Sequence, residues 1–209
     1  MPLYKTHIPN SQTTVKIWKI TESLDTLKDG LKHNKERSKR LLQMKSQIHQ
    51  RGFLSIGYLL RAFGYKDTDL FYDNNGKPFL KDGKHISISH SFSFSAVAVS
   101  DNAIGIDVEK QRPKVGIIAS KFIGYETHYL DTNKTDYIKK LTVIWCIKES
   151  LYKLFATPGM LFREHFLVIP FSLKDETTTA WINHNNFNYK YQSYFIQFEG
   201  FTCAYTLPY

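Results

Sequence analysis

The feature that most constrains what this chain can fold into is the grouping of its strand-patterned segments. Runs in which apolar and polar residues alternate fall into two clusters, and each cluster follows a stretch with helical spacing. Alternation of period two marks a strand with one buried face, whereas recurrence at three and four residues marks a helix. In the first half, TVKIWKI (14–20) reads as a strand and residues 22–63 read as helix, interrupted at Gly30 and Gly52. LFYDNNGKPFL (70–80) reads as short strands about a tight turn at Asn75-Gly76. HISISHS (85–91) and SFSAVAVS (93–100) read as a hairpin, with AIGIDVEK (103–110) as the third strand of that group. In the second half a helical region over 117–130 and a longer helix over 136–155 precede strands near 166–169, 180–182, 189–198 and 202–206. Helices followed by an antiparallel sheet, twice over, define an α+β chain.

The 209 residues, 42% hydrophobic and 15% aromatic, are enough to fill a core in either half. No apolar run approaches the roughly 20 residues of a membrane-spanning helix. The opening MPLYKTHIPNSQ has none of the features of a signal peptide. Cys146 and Cys203 lie in apolar surroundings without metal-ligand spacing, which predicts buried reduced thiols and a cytoplasmic setting. A net charge of +9 points to an anionic partner: nucleic acid, an acidic protein or a phosphate-rich small molecule.

Four short stretches carry chemistry. In GIDVEK (105–110), Asp107 and Glu109 share one face of a strand and Ile106 and Val108 the other. Two like charges on one face repel, so either the edge is solvated or a divalent cation takes both. In WCIKESLYK (145–153), Glu149 and Lys153 share a helix face, as an ordinary surface pair or as a cation ligand beside a phosphate-binding lysine. SISHS (87–91) places His90 among serines, and GKP (76–78) combines close backbone approach, a charge and a fixed turn.

In this order, GKP, SISHS, GIDVEK and WCIKESLYK resemble the 4'-phosphopantetheinyl transferases, specifically the longer, single-chain surfactin-synthetase-activator type. The family pattern W-x-x-K-E-[SA]-x-x-K, preceded by G-[IV]-D-[IV]-E, is matched at every fixed position. ERSKRLL (36–42) resembles that type's basic helix, and FIGYE (122–126) its F-x-x-x-E segment.

The resemblance implies two similar α/β subdomains related by a pseudo-twofold axis, each with an antiparallel sheet packed on helices. Residues 1–102 would supply coenzyme A adenine and 3'-phosphate contacts, residues 103–209 the metal and catalytic groups, with the active site at their interface. The implied activity is that of a holo-[acyl-carrier-protein] synthase type enzyme. It would move the phosphopantetheine arm of coenzyme A to a serine of an apo acyl or peptidyl carrier protein and release adenosine 3',5'-bisphosphate. Asp107, Glu109 and Glu149 would hold Mg²⁺, with Glu149, Lys153 and Glu126 as catalytic residues. Coenzyme A would be met by Lys35, Arg37, Arg40, Gly76, Lys77, Pro78, Ser89, His90, Asp107, Lys148 and Lys153. Carrier proteins of this kind are acidic, which suits a basic enzyme, and an internally duplicated chain is expected to be a monomer with no nucleic-acid or membrane partner.

Two departures from the family pattern stand out. LFATPGMLF (154–162) keeps only Gly159 of the K-x-x-G-x-G turn often found in this type, and Asn34 stands where relatives can carry another basic residue. Val115, Ile117, Ile118 and Phe122 are either carrier surface or core. Two rival readings are a basic nucleic-acid-binding module using Arg37, Lys39, Arg40 and the tyrosines, and a noncatalytic protein that binds coenzyme A or a carrier. The first leaves Asp107, Glu109 and Glu149 without a purpose, since they repel phosphate.

Overall fold

The strand-patterned segments pair into two antiparallel sheets, one in each of two compact units, residues 1–102 and 103–209. The computed structural model describes residues 3–30 and 35–209, apart from the side chains of 35–37. Asn34 and the side chains of Lys35 and Arg37, with the roles expected of them, therefore lie outside the described residues.

In the first unit, β1 (Leu3–Asn10) and β2 (Thr13–Lys19) are followed by helices α1 (Leu24–Asp29), α2 (Lys35–Gln43) and α3 (Gln47–Ala62). Then come β3 (Leu70–Tyr72), β4 (Pro78–Leu80), β5 (His85–Ser91) and β6 (Phe94–Ser100), in a sheet of order β1-β2-β6-β5-β4-β3. The core forms where Leu54, Leu59 and Leu60 of α3 meet Trp18, Ile86, Val97 and Val99. Each fully buried leucine stabilises this layer by about 2 kcal/mol. α3 runs through Gly52 without the interruption expected there. A side chain at Gly52 would lie 2.7 Å from Nδ1 of His90 on β5, so the glycine serves close helix-to-sheet approach, at a helical cost of about 1 kcal/mol. β1 was not foreseen: it is largely exposed, lacks clear alternation, and owes its form to pairing with β2.

The second unit comprises β7 (Gly105–Lys110), α4 (Lys114–Ile117), α5 (Tyr137–Phe155), α6 (Phe162–His165), β8 (Phe166–Val168), β9 (Thr177–His184), β10 (Phe187–Phe198) and β11 (Phe201–Pro208). Its sheet order is β7-β11-β10-β9-β8. β7 is thus not the third strand beside the β5–β6 hairpin. It pairs with β11, from Gly105 opposite Thr206 to Lys110 opposite Phe201. Alternation locates a strand but does not name its partner, and here the partner is at the far end of the chain. The helical region expected over 117–130 is α4 plus two short 3-10 turns, Ala119–Lys121 and Tyr125–His128. α5 lies across β7 and β11 and buries Leu141, Val143, Ile144, Ile147 and Leu151 in a core with Phe122, Phe166, Val168 and Phe195.

The chain is α+β, two antiparallel sheets with helices. Both cysteines are buried and free. Among the described residues no helix is long and apolar enough to cross a membrane.

Candidate active site on strand β7 and helix α5

The site begins with a missing side chain. A Cβ at Gly105 would fall 1.8 Å from the carbonyl oxygen of Ser150, so the α5 backbone rests directly on the first residue of β7. Because side chains alternate along a strand, Gly105, Asp107 and Glu109 share the face that meets α5. This contact sets Asp107, only 5% exposed, against the helical turns that carry Glu149 and Lys153.

Lys153 Nζ donates to Asp107 Oδ1 at 2.8 Å and to the Ile106 carbonyl at 2.9 Å. Burial lowers the proton affinity of this ammonium, but Asp107, its hydrogen bond and Glu149 outweigh that, and the net shift is upward. Glu149 also shifts upward, which for a carboxylate favours the neutral form. Burial first, then the negative charges of Asp107 and Glu109, raise it to about 7 against the opposing pull of Lys153. Cys146, one helical turn before Ser150, is pushed well up by burial and by the same two carboxylates, which leaves it an inert thiol.

Asp107, Glu109 and Glu149 therefore act on one another electrostatically, although among the described residues no three ligating side chains already close on one point. The donor set is all carboxylate oxygen, in excess over the neighbouring ammonium. That suits Mg²⁺, which takes a few carboxylates and completes its octahedron with water and substrate phosphates.

Lys148 and Glu126 sit differently from the phosphate-binding and catalytic roles expected of them. Both are 0% exposed and paired at 2.8 Å. Lys148 also donates to the carbonyls of Phe122 at 2.7 Å and Phe162 at 3.1 Å, which uses all three of its protons inside the fold. Burial draws its proton affinity down, with Glu126 opposing. Glu126 accepts from the backbone N–H of Gly124 at 3.0 Å and of Val168 at 2.9 Å. No phosphate contact of Lys148 is among these bonds. The pairing of FIGYE with WCIKES has no spacing signal; only the coincidence of one buried-pattern acid and one buried-pattern lysine hints at it.

Phe122 is core, whereas Ile117 is 80% exposed. Val115 and Ile118 line an open cleft with Glu109, Arg112 and Trp145.

The residues expected in the first unit are distributed over its sheet. Gly76 and Lys77 form the turn between β3 and β4, where the Lys77 N–H donates to Asp73 Oδ1 at 2.8 Å, and Pro78 opens β4. Ser89 and His90 are consecutive on β5 and so project from opposite faces, Ser89 buried and His90 exposed over Gly52. The Arg40 guanidinium lies 4.6 Å from the centre of the Tyr72 ring.

Comparison with known proteins gives one family match and two curated relatives. The model of the 4'-phosphopantetheinyl transferase superfamily matches residues 103–206. A 4'-phosphopantetheinyl transferase of Bacillus subtilis is 37% identical over 103 residues, 44% of this chain and 44% of that protein. The 4'-phosphopantetheinyl transferase gsp of Aneurinibacillus migulanus is 29% identical over 101 residues, 46% of this chain and 42% of that protein. The chain thus spans less than half the length of these curated relatives in its matched part. The match runs from just before β7 to β11 and includes Asp107, Glu109, Glu149 and Lys153; through it, this chain belongs to the 4'-phosphopantetheinyl transferase superfamily.

Proposed function

We propose that the protein transfers the 4'-phosphopantetheine arm of coenzyme A to a serine of an apo carrier protein, with Mg²⁺ held by Asp107, Glu109 and Glu149. The observation that carries this reading is the set of three mutually interacting carboxylates with Lys153 bonded to Asp107, inside the family-matched region. In the reaction the serine oxygen forms a bond to the phosphorus that bears the arm. The bond from that phosphorus to the bridging oxygen breaks, and adenosine 3',5'-bisphosphate leaves. When bound, Mg²⁺ would neutralise pyrophosphate charge, the main demand of such chemistry.

The protein's own residues do the rest. Lys153, kept charged by Asp107, stabilises negative charge on the transferring group. Glu149, set beside Asp107 and Glu109, is the base assigned to the serine proton. Lys77, Pro78, His90, Ser89, Gly76 and Arg40 are proposed as coenzyme A contacts, together with Lys35 and Arg37. Ile117 is assigned to the carrier-facing surface.

The test is the intact mass of a purified apo carrier after incubation with this protein, coenzyme A and Mg²⁺, beside a Glu149→Gln variant and a chelator control. A gain equal to one phosphopantetheine arm, absent from both controls, is expected. No gain with several unrelated carriers, while coenzyme A still binds, would replace the transferase by a noncatalytic binding protein.

A further inference from the structure

We propose that the buried Glu126–Lys148 pair is a positioning device that fixes the rotation of α5, and so the aim of Glu149 at the carboxylates of β7. This inference rests on the transferase reading above. A buried ion pair is a poor source of stability, since apolar residues of similar volume usually do as well or better. What distinguishes this pair is where its bonds lead.

Lys148 ties α5 to the Phe122 carbonyl on one side and to the Phe162 carbonyl of α6 on the other. Glu126 ties the same ammonium to Gly124 and to Val168 of β8. Trp145, one turn earlier, packs on the rings of the same two residues, 5.1 Å from Phe122 and 5.5 Å from Phe162. Aromatic and polar contacts thus clamp one face of one helical turn. Glu149 is the next residue, about 100° round the helix axis. A small rotation released at Lys148 would swing Glu149 away from Asp107 and Glu109 while leaving the apolar face of α5 buried. The clamp also secures the end of the divergent 154–162 segment through the Phe162 carbonyl.

The test compares wild type, Lys148→Met, Glu126→Gln, the double variant carrying both, and Lys148→Arg. For each, Mg²⁺ binding is measured by calorimetry with coenzyme A present, alongside Tm, kcat and the KM for the carrier. Lys148→Met is expected to weaken Mg²⁺ binding about tenfold, as supporting residues around metal sites commonly do, and to lower kcat with little change in the carrier KM. The double variant, with neither charge left buried alone, should recover Tm relative to Lys148→Met without recovering Mg²⁺ affinity. Lys148→Arg keeps the charge and should restore most of both. If Lys148→Met does not fold, Glu126→Gln and the double variant give the same reading. Wild-type Mg²⁺ affinity in folded variants, or a loss that returns in step with Tm, overturns the positioning role while leaving the transferase intact. A wild type that neither binds Mg²⁺ nor transfers would instead overturn the functional reading and this inference with it.

Discussion

At the residue scale, one ion pair and one hydrogen bond to a charged carboxylate lead to measurable expectations. Lys153 is 29% exposed at its side chain and Asp107 7%, so this is a half-buried pair whose partners are unequally solvated. Lys153→Met leaves Asp107 buried without its ammonium, and an expected loss of about 2 kcal/mol should appear as a lower urea midpoint. Added Mg²⁺ should return part of that loss, since the ion supplies the missing positive charge; stability equal to wild type in metal-free buffer would contradict the assignment. Far from this site, the Tyr65 hydroxyl donates to Asp82 Oδ2 at 2.7 Å and is the largest cause holding that carboxyl below the usual aspartate range. A carboxyl with a depressed folded value adds stability above its ordinary range, near 3.9, and loses it as pH falls through the folded value. Burial and Asp82 raise Tyr65 itself, so its share is present below the ordinary tyrosine range and fades only in strong base. Melting Tyr65→Phe beside wild type should therefore show a constant Tm gap from pH 5 to 9 that closes toward pH 3.

At the element scale, the contact of β7 with α5 decides whether a site exists. A Cβ at residue 105 meets helix backbone, which cannot swing aside as a side chain can. Gly105→Ala must push strand and helix apart, and a loss of about 3 kcal/mol is expected, typical of severe overpacking, with the proposed transferase activity reduced more than the folded fraction. An alanine variant that keeps full activity would mean the strand-helix contact does not set the site. The same elements show what could be read from sequence. The strands β2 and β8 to β10 and the helix α5 declare themselves by periodicity, because each has one buried and one more open face, whereas β6 and β11 are buried on both faces and are marked by apolar and small residues between turns. The chemistry of β7 and α5 was legible because unlike residue types interrupt the apolar runs: two acids in a strand, and Lys148-Glu149 after the apolar stretch VIWCI of the helix. The sheet that β7 joins was not legible, and neither were three other features. β1 is exposed on both faces, Gly52 is a contact rather than a break, and the Glu126–Lys148 bond joins segments whose separation no spacing rule describes.

At the scale of the whole molecule, each unit keeps its own hydrophobic cluster and its own antiparallel sheet, so local patterning was enough to find both. What neither unit's pattern contains is the distribution of charge, because a surface lysine leaves no periodic trace. The excess of +9 acts on partners rather than on folding. If the acceptor is an acidic carrier, attraction should speed encounter more than it tightens the bound state, and salt should suppress it as the screening length shrinks from about 8 Å at 0.15 M to about 3 Å at 1 M. With coenzyme A and Mg²⁺ saturating, kcat/KM for the carrier is expected to fall about tenfold between 0.05 and 0.5 M sodium chloride, an effect of the size expected for steered association. Meanwhile kcat should change by less than about twofold, since the half-buried Asp107–Lys153 pair is screened less by mobile ions than exposed charges are. The two parameters separate the charges: a fall in kcat would place the salt-sensitive interactions at β7 and α5, whereas a flat kcat/KM would mean that the basic surface takes no part in finding the carrier.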